Sequence, residues 1–334
     1  MSSAPTRVRL SSIYSKVPWF RQTPNDDGVW GNLQFQLDDG NTDADWLVVY
    51  DEPWPSLRTN APYERRILFI CEPPGLKVYP SKFVNQFGAI VSPYAIPGFR
   101  GRSFIQQSAL PWHYGMDHRP ENYASAIRWP ALAADKCKSK LASIICSQKA
   151  SLPYHRLRLA FVERLKARLG HRVDVFGRDS RPIDDKQEGI AAYKYHIAVE
   201  NNEIDHFWTE KIADAYLGDC FPIFAGCKNI GSYFDERSLR QIDIVDPDRA
   251  IEEIESILDS TLWEDNRVRI QESRRRLMTE YNLFAVVAKI IAQSDEKTLT
   301  SRSVPPTALR PGRRRPLKAL RRRLRQTLRR VFSR

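Results

Sequence analysis

The sequence predicts an α/β protein with two Rossmann-like domains and a basic C-terminal tail. Short continuous apolar runs recur along the chain, which is typical of parallel strands covered on both faces. Strand and helix patterns alternate in the second half, and 334 residues suit two domains better than one small core. We expect the domains to cover 1–140 and 141–295, and a linker and tail to cover 296–334.

The first half predicts a parallel sheet whose beginning is unclear. Residues 1–40 have mixed composition and little periodicity, so they predict no defined element. The aromatic and proline-rich segment 94–129 suits either stacking on sugar rings or a small packed subdomain, and packing is the favoured interpretation. The predicted elements of this half are strands at 46–50, 66–71 and 88–92 and a short helix at 83–87.

The second half predicts alternating strands and helices. Helix 153–169 is the clearest element, because its apolar residues fall on one face and Gly170 follows it. Residues 294–309 read as a polar Ser, Thr and Pro linker. The other predicted elements are strands at 142–147 and 173–178 and helices at 248–259 and 265–293.

The stretch 192–226 predicts a βαβ unit on which the rest of the chain depends. A strand at 195–199 is followed by a loop and a helix at 209–217; Gly218 then ends the helix, and a strand resumes at 221–224. In doubly wound domains, the loop after the first strand opens at the carboxyl edge of the sheet, where ligands bind.

Polar residues concentrate in that loop and at the start of the helix. The loop supplies Glu200 and Asn201, and Thr209 is a candidate N-cap followed by Glu210 and Lys211. A helix N-terminus with a lysine suits a pyrophosphate, and the carboxylates and amides suit hydroxyls of a ribose or sugar. For any one of these residues, a simple helix-end or solvated role is the alternative.

The same residues resemble the donor-binding motif of glycosyltransferase family 10, the α-1,3/α-1,4-fucosyltransferases. The similarity is carried by YKYHIAVEN at 193–201, TEK at 209–211, FPIFAG at 221–226 and VDVFGR at 173–178. The loop 147–150 departs from the Ser-Asn-Cys of the family. The resemblance implies a GT-B-type architecture, in which two Rossmann-like domains face each other across a cleft.

The resemblance also implies a function. The expected enzyme is an inverting fucosyltransferase of the bacterial type without an N-terminal membrane anchor. It would transfer L-fucose from GDP-β-L-fucose to a glycan hydroxyl, in α-1,3 or similar linkage, in the synthesis of surface glycans. The alternatives are the same fold with another nucleotide sugar, or a non-catalytic protein that docks on a membrane or nucleic acid.

Site residues follow from the matched motifs. Glu72, after the strand at 66–71, falls where the family places a general base. Glu210 is the second catalytic candidate, and it would hold sugar hydroxyls or stabilise oxocarbenium character together with Glu200. The implied donor-binding residues are Arg178, Tyr193, Lys194, Glu200, Asn201, Thr209 and Lys211. Arg156 or Arg158 is a further basic candidate.

The sequence predicts neither a structural metal nor a required cofactor. Two Asp-x-Asp pairs, at 43–45 and 246–248, are unsurprising among 40 acidic residues, and the six histidines show no zinc-ligand spacing. A divalent cation is expected at most to stimulate the reaction.

The basic excess lies at the C-terminus. Residues 310–334 hold 12 of the 52 Lys and Arg and no acid, leaving 40 basic against 40 acidic residues elsewhere. From Leu317 to Arg334, apolar residues spaced by three and four predict an amphipathic helix that binds an anionic membrane surface. Nucleic acid is the less favoured partner because the rest of the chain is neutral. Five cysteines without a CxxC pair fit the cytoplasm, so we expect a peripheral protein on the inner face of the cell membrane.

Overall fold

Two parallel sheets organise the chain. The computed structural model describes residues 4–38, 43–55, 57–150, 152–178, 180–294 and 307–309. The predicted basic helix between Leu317 and Arg334 lies outside the described residues. Within them, no helix combines the length and the apolar character that crossing a bilayer requires.

The first sheet belongs to the N-terminal half. The strands of this half are β1 (Thr6–Ser12), β2 (Val29–Trp30), β3 (Leu33–Leu37), β4 (Trp46–Tyr50), β5 (Arg58–Thr59), β6 (Arg66–Phe69), β7 (Ala89–Ser92) and β8 (Arg102–Ile105). Seven of them form a sheet in the order β2-β3-β1-β4-β6-β7-β8. All neighbours run parallel except β2 against β3. The three strands predicted in this half are confirmed as β4, β6 and β7, with ends shifted by at most two residues.

The expectation of no defined element in residues 1–40 is wrong. Strand β1 lies inside the first sheet, between β3 and β4. Its pattern is obscured by Arg7 and Arg9, which interrupt the apolar residues. Arg9 is nevertheless buried and donates to the carbonyl of Arg58, 2.9 Å away. A buried arginine of this kind breaks the apolar signal from which strands are predicted.

The second sheet is parallel throughout. Its strands are β9 (Lys140–Ile145), β10 (Val173–Phe176), β11 (Tyr193–Val199), β12 (Phe221–Ala225) and β13 (Arg240–Gln241), in the order β10-β9-β11-β12-β13. The helices are α1 (Ser81–Val84), α2 (Trp129–Ala133), α3 (Pro153–Leu169), α4 (Glu210–Leu217), α5 (Pro247–Leu258), α6 (Leu262–Asp265), α7 (Arg267–Thr279) and α8 (Leu283–Ala292). The predicted βαβ unit is confirmed as β11, α4 and β12.

The long helix predicted at 265–293 is wrong, because the chain breaks between α7 and α8. Asn282 caps α8 through its side chain, which accepts from the Ala285 amide. The apolar face of α8 then packs on the core of the first sheet, with the Phe284 ring 4.8 Å from that of Phe35. The chain therefore returns to the first domain. After it, the two-residue strand β14 (Thr307–Ala308) pairs with β5.

The aromatic segment 94–129 forms a packed connection between the sheets. Trp112 and Tyr114 are buried in the second core, and Trp129 packs 6.2 Å from Trp112. Arg21 of the first domain is buried and donates to carbonyls of this segment, including those of Trp112 and Tyr114. The favoured interpretation, packing, is confirmed for these rings.

Candidate active site

A cavity of about 700 Å³ opens at the carboxyl edge of the second sheet. Its walls are the loops that follow β9 and β10, together with the segment that connects the domains. Since β10 and β11 lie on opposite sides of β9, the strand order reverses there. Ligands of open α/β sheets bind at such a switch point. The volume lies within the range of small-molecule sites.

Basic side chains dominate the cavity wall. Lys149, Arg178 and Lys186 line it, along with His113, whereas Asp184 is the one acid among the described lining residues. Arg178 is exposed, and within the described residues it makes no ion pair. The cavity therefore suits an anionic ligand, as the family motif implied for Arg178.

Helix α4 points its N-terminus at the same region. Thr209 caps the helix as expected, since its hydroxyl accepts from the Lys211 amide. Glu200 ends up in a different place from the predicted one. Its carboxylate has no exposed surface and accepts from the Thr209 amide at 2.8 Å, the Thr209 hydroxyl at 2.6 Å and the Lys211 ammonium at 2.8 Å. Because both oxygens are bonded internally, Glu200 holds the loop and helix together and has no oxygen free for a sugar hydroxyl.

Glu210 sits between two ammonium groups. Its carboxylate lies 3.4 Å from Lys186 Nζ and 3.7 Å from Lys211 Nζ. Although burial alone would raise it, these two charges hold the pKa of Glu210 well below the usual range. A carboxylate so firmly ionised is a weak proton acceptor, but it can stabilise positive charge.

Lys186 is a site residue that the sequence analysis missed. It belongs to the loop after β10, lines the cavity, and pairs with the buried Asp214 of α4 at 2.8 Å. Burial would lower the pKa of Lys186, but Asp214 and Glu210 raise it above the usual value. Nothing in a sequence links residue 186 to residue 214, so only the folded arrangement reveals the pair.

Tyr193 and Lys194 do not belong to this edge of the sheet. They begin β11, and about 20 Å of strand separates them from its carboxyl end at roughly 3.3 Å per residue. The Tyr193 hydroxyl bonds to Asp174, and the Lys194 ammonium pairs with Glu264 and lies over the Trp263 ring. Both residues therefore stabilise the opposite end of the domain, and their predicted donor contacts are corrected.

Asn201 remains at the predicted edge. It directly follows the buried Glu200 and is partly exposed, and its side-chain oxygen accepts from the Asn202 amide group at 2.8 Å. Arg158 is the inward member of the two basic candidates on α3. It is buried and donates to the Ser147 carbonyl, whereas Arg156 is exposed.

Glu72 faces the second domain from the loop after β6. Its backbone is fixed by two tyrosines, because its amide donates to Tyr79 and its carbonyl accepts from Tyr94. Burial raises the pKa of Glu72, and the Asp51 charge raises it further, against an opposing effect of Lys149. The Glu210 carboxylate also acts on it. Glu72 thus lies close enough to feel charges of the second domain, with a raised basicity suited to a general base.

No metal cluster accompanies these groups. Within the described residues, no three His, Cys, Asp or Glu side chains lie together in a way that could hold an ion. Stimulation by a divalent cation stays a prediction.

Together, the two sheets, their facing carboxyl edges and the returning helix define the class of the protein, a glycosyltransferase fold of the GT-B type. Residues 135–255 match the family described as Glycosyltransferase family 10 (fucosyltransferase) C-term. The chain therefore carries a family 10 domain, and the resemblance stated from the motifs is confirmed.

Solved structures give the same fold. An α1,3-fucosyltransferase with GDP-fucose matches with a TM-score of 0.50 and 17% identity, over 91% of this chain and 95% of that chain. The structure with GDP has a TM-score of 0.49 and 16% identity, over 85% and 94%. A further α1,3-fucosyltransferase structure has a TM-score of 0.47 and 18% identity, over 85% and 94%. Comparison with curated protein sequences found no match.

Proposed function

We propose that this protein is an inverting fucosyltransferase that transfers L-fucose from GDP-β-L-fucose to a glycan hydroxyl, in α-1,3 or similar linkage, during surface-glycan synthesis. The observation that carries the proposal is the basic cavity beside the N-terminus of α4. It lies inside the family 10 domain and is faced by Glu72 from the other domain.

The chemistry is a single displacement at the anomeric carbon. Glu72 takes the proton of the acceptor hydroxyl, and the acceptor oxygen forms a bond to that carbon. The bond from the carbon to the diphosphate oxygen breaks, and its electron pair leaves with GDP. Arg178 and Lys186 line the cavity and offset the charge that develops on the leaving group.

The two catalytic carboxylates take different roles because their environments differ. The pKa of Glu72 is raised by burial, which favours proton uptake, whereas the pKa of Glu210 is held low by Lys211 and Lys186. Glu210 therefore stays ionised and stabilises positive charge on the sugar ring. Lys211, which is 23% exposed, remains able to contact the donor while bonded to Glu200.

The direct test is GDP release from GDP-fucose, measured with a panel of β-galactosyl and N-acetylglucosamine acceptors. GDP-mannose and UDP-galactose serve as matched alternative donors. We expect acceptor-dependent release from GDP-fucose alone. Release only from another donor would support the second candidate, the same fold with a different sugar, and binding of no nucleotide sugar would overturn the enzymatic proposal.

A second candidate donor is kept for one reason. The basic residues of the cavity recognise a diphosphate, and a diphosphate is common to all nucleotide sugars. The hexose contacts come from fewer groups, of which Asn201 and Glu210 are the closest candidates.

We also propose that the tail holds the enzyme on the inner face of the cell membrane, in the cytoplasm. The described chain ends at Leu309, which is buried on the first domain and whose amide donates to the Leu57 carbonyl. The basic segment follows directly in sequence, so it departs from the acceptor-side domain. Each basic residue near an anionic bilayer contributes about 1 kcal/mol.

Truncation after Leu309 should abolish binding to vesicles that contain an anionic lipid, while the activity with soluble acceptors is retained. Cutting here, beyond the buried Leu309, keeps the packing of the first domain intact. Co-sedimentation with anionic and with neutral vesicles measures the effect. Equal sedimentation of the full and truncated chains would refute membrane binding through the tail.

A further inference from the structure

We propose that Trp54 and Tyr14 form an aromatic platform that binds a pyranose ring of the acceptor with galacto configuration. This inference rests on the proposed function, since it assigns the acceptor class for the same cleft. It uses residues of the first domain that neither the family motif nor the chemistry above involves.

The platform is exposed in a fold that buries nearly all of its other large rings. Trp54 is 48% exposed and Tyr14 41%; among the described aromatic residues only Tyr63, at 37%, is grouped with them as exposed. The rings expected at the sequence level to stack on sugars, such as Trp112 and Tyr114, are instead buried. Exposed aromatic faces are therefore concentrated at very few places.

The platform lies at the switch point of the first sheet. Tyr14 follows β1 and Trp54 follows β4, the neighbouring strands at which the strand order reverses. This is the same relation to the sheet that the basic cavity has in the second domain. Tyr63, in contrast, directly precedes β6 and lies against Gly88 at the opposite edge.

Hydrogen bonds join the two loops of the platform. The Ile13 amide donates to the Glu52 carbonyl at 3.0 Å, and the Trp54 amide donates to the Ser11 hydroxyl at 3.0 Å. The Tyr14 amide donates to the Ser12 hydroxyl at 3.1 Å. Because both loops are tied to β1, the aromatic rings are carried on a rigid support, which lowers the entropy lost on binding.

The platform is close to the proposed base. The Asp51 carboxylate accepts from the Tyr79 hydroxyl at 2.6 Å, and that hydroxyl lies 3.3 Å from the Glu72 amide. Trp54 is three residues beyond Asp51, a span of at most about 11 Å. A sugar resting on the platform can therefore present a neighbouring hydroxyl towards Glu72.

The chemistry selects a sugar with one apolar face. A galactopyranose carries the hydrogens of C3, C4 and C5 on the same side, and these fit the electron-rich face of an indole. The first domain thus offers an apolar surface for a neutral sugar, while the second offers cations for the diphosphate.

The test is direct binding of N-acetyllactosamine to the GDP-loaded protein by titration calorimetry, paired with acceptor kinetics. Trp54→Ala should weaken binding about tenfold and raise the acceptor KM equally, whereas Trp54→Phe should keep most of the affinity. GDP release to water without acceptor should stay unchanged in both. Tyr63→Ala, an equally exposed ring at the opposite edge, is the matched control and should have no effect.

The outcomes separate the two proposals. Unchanged binding in Trp54→Ala, or no binding of N-acetyllactosamine to the wild-type protein, overturns the platform and leaves fucosyl transfer standing. Sugar binding that depends on Trp54 in a protein that releases no GDP from GDP-fucose supports the platform and removes the proposed function.

Discussion

Replacing Glu72 with Gln should lower the rate of fucosyl transfer by about 10²- to 10⁴-fold, the contribution of a positioned general base. The amide keeps the shape of the carboxylate but cannot accept the acceptor proton. GDP binding should be preserved, because the basic cavity belongs to the other domain. Single-turnover transfer and GDP titration, measured on the same sample, give both quantities.

The pH dependence of the wild-type enzyme follows from the same residue. Burial and the Asp51 charge raise the pKa of Glu72, and the base must be ionised to work. Transfer should therefore fall as the pH drops through this raised pKa, earlier than for an ordinary glutamate. Near-normal turnover in Glu72→Gln would show that the base lies elsewhere.

Stability should move in the opposite direction to activity. A carboxyl whose pKa is raised by folding stabilises the protein fully below its unfolded pKa, and this contribution is lost as the pH rises through the folded value. Glu72→Gln should consequently melt at a higher temperature than the wild type at neutral pH, and the difference should vanish in acid. Glu64→Gln, an exposed glutamate before β6, is the control and should alter neither property.

The parts of the fold that the sequence predicted best are those with strong local signals. Helix α3 was predicted with its true bounds, because an apolar stripe between Pro153 and Gly170 defines both ends. The cap of α4 at Thr209 followed from residue type and position alone. These features depend on neighbours within a few residues.

The parts that were missed depend on distant partners. Strand β1 was hidden by arginines, and the burial of Arg9 depends on a carbonyl 49 residues away. Glu200 has the composition of a ligand-binding carboxylate, but its charge is balanced inside the fold by Lys211. Tyr193 shares the motif with Glu200 yet lies at the other end of the same strand. A motif locates a site along the chain, whereas only the fold decides which of its side chains reach the ligand.

The second large effect is expected at Asp214, a fully buried carboxylate on α4. One oxygen accepts from the amides of His113 and Tyr114, each at 2.9 Å, and the other pairs with Lys186 at 2.8 Å. Asp214→Ala leaves two amides and an ammonium without partners. We expect a loss of about 3 kcal/mol, the low end of the range for removing one partner of a buried pair, because Lys186 keeps 23% exposure.

That loss corresponds to a melting temperature lower by roughly 6–12 °C for a domain of this size. Asp248→Ala is the matched control, since its carboxylate is 71% exposed in a surface pair with Arg164 and should change stability by less than about 0.5 kcal/mol. Asp214→Asn keeps an oxygen for the amides but loses the charge, so it separates the two contributions. Because Asp214 fixes both the segment between the domains and Lys186 in the cavity wall, donor binding should weaken in step with stability. A variant that lost neither would show that the connecting segment is held by Arg21 alone.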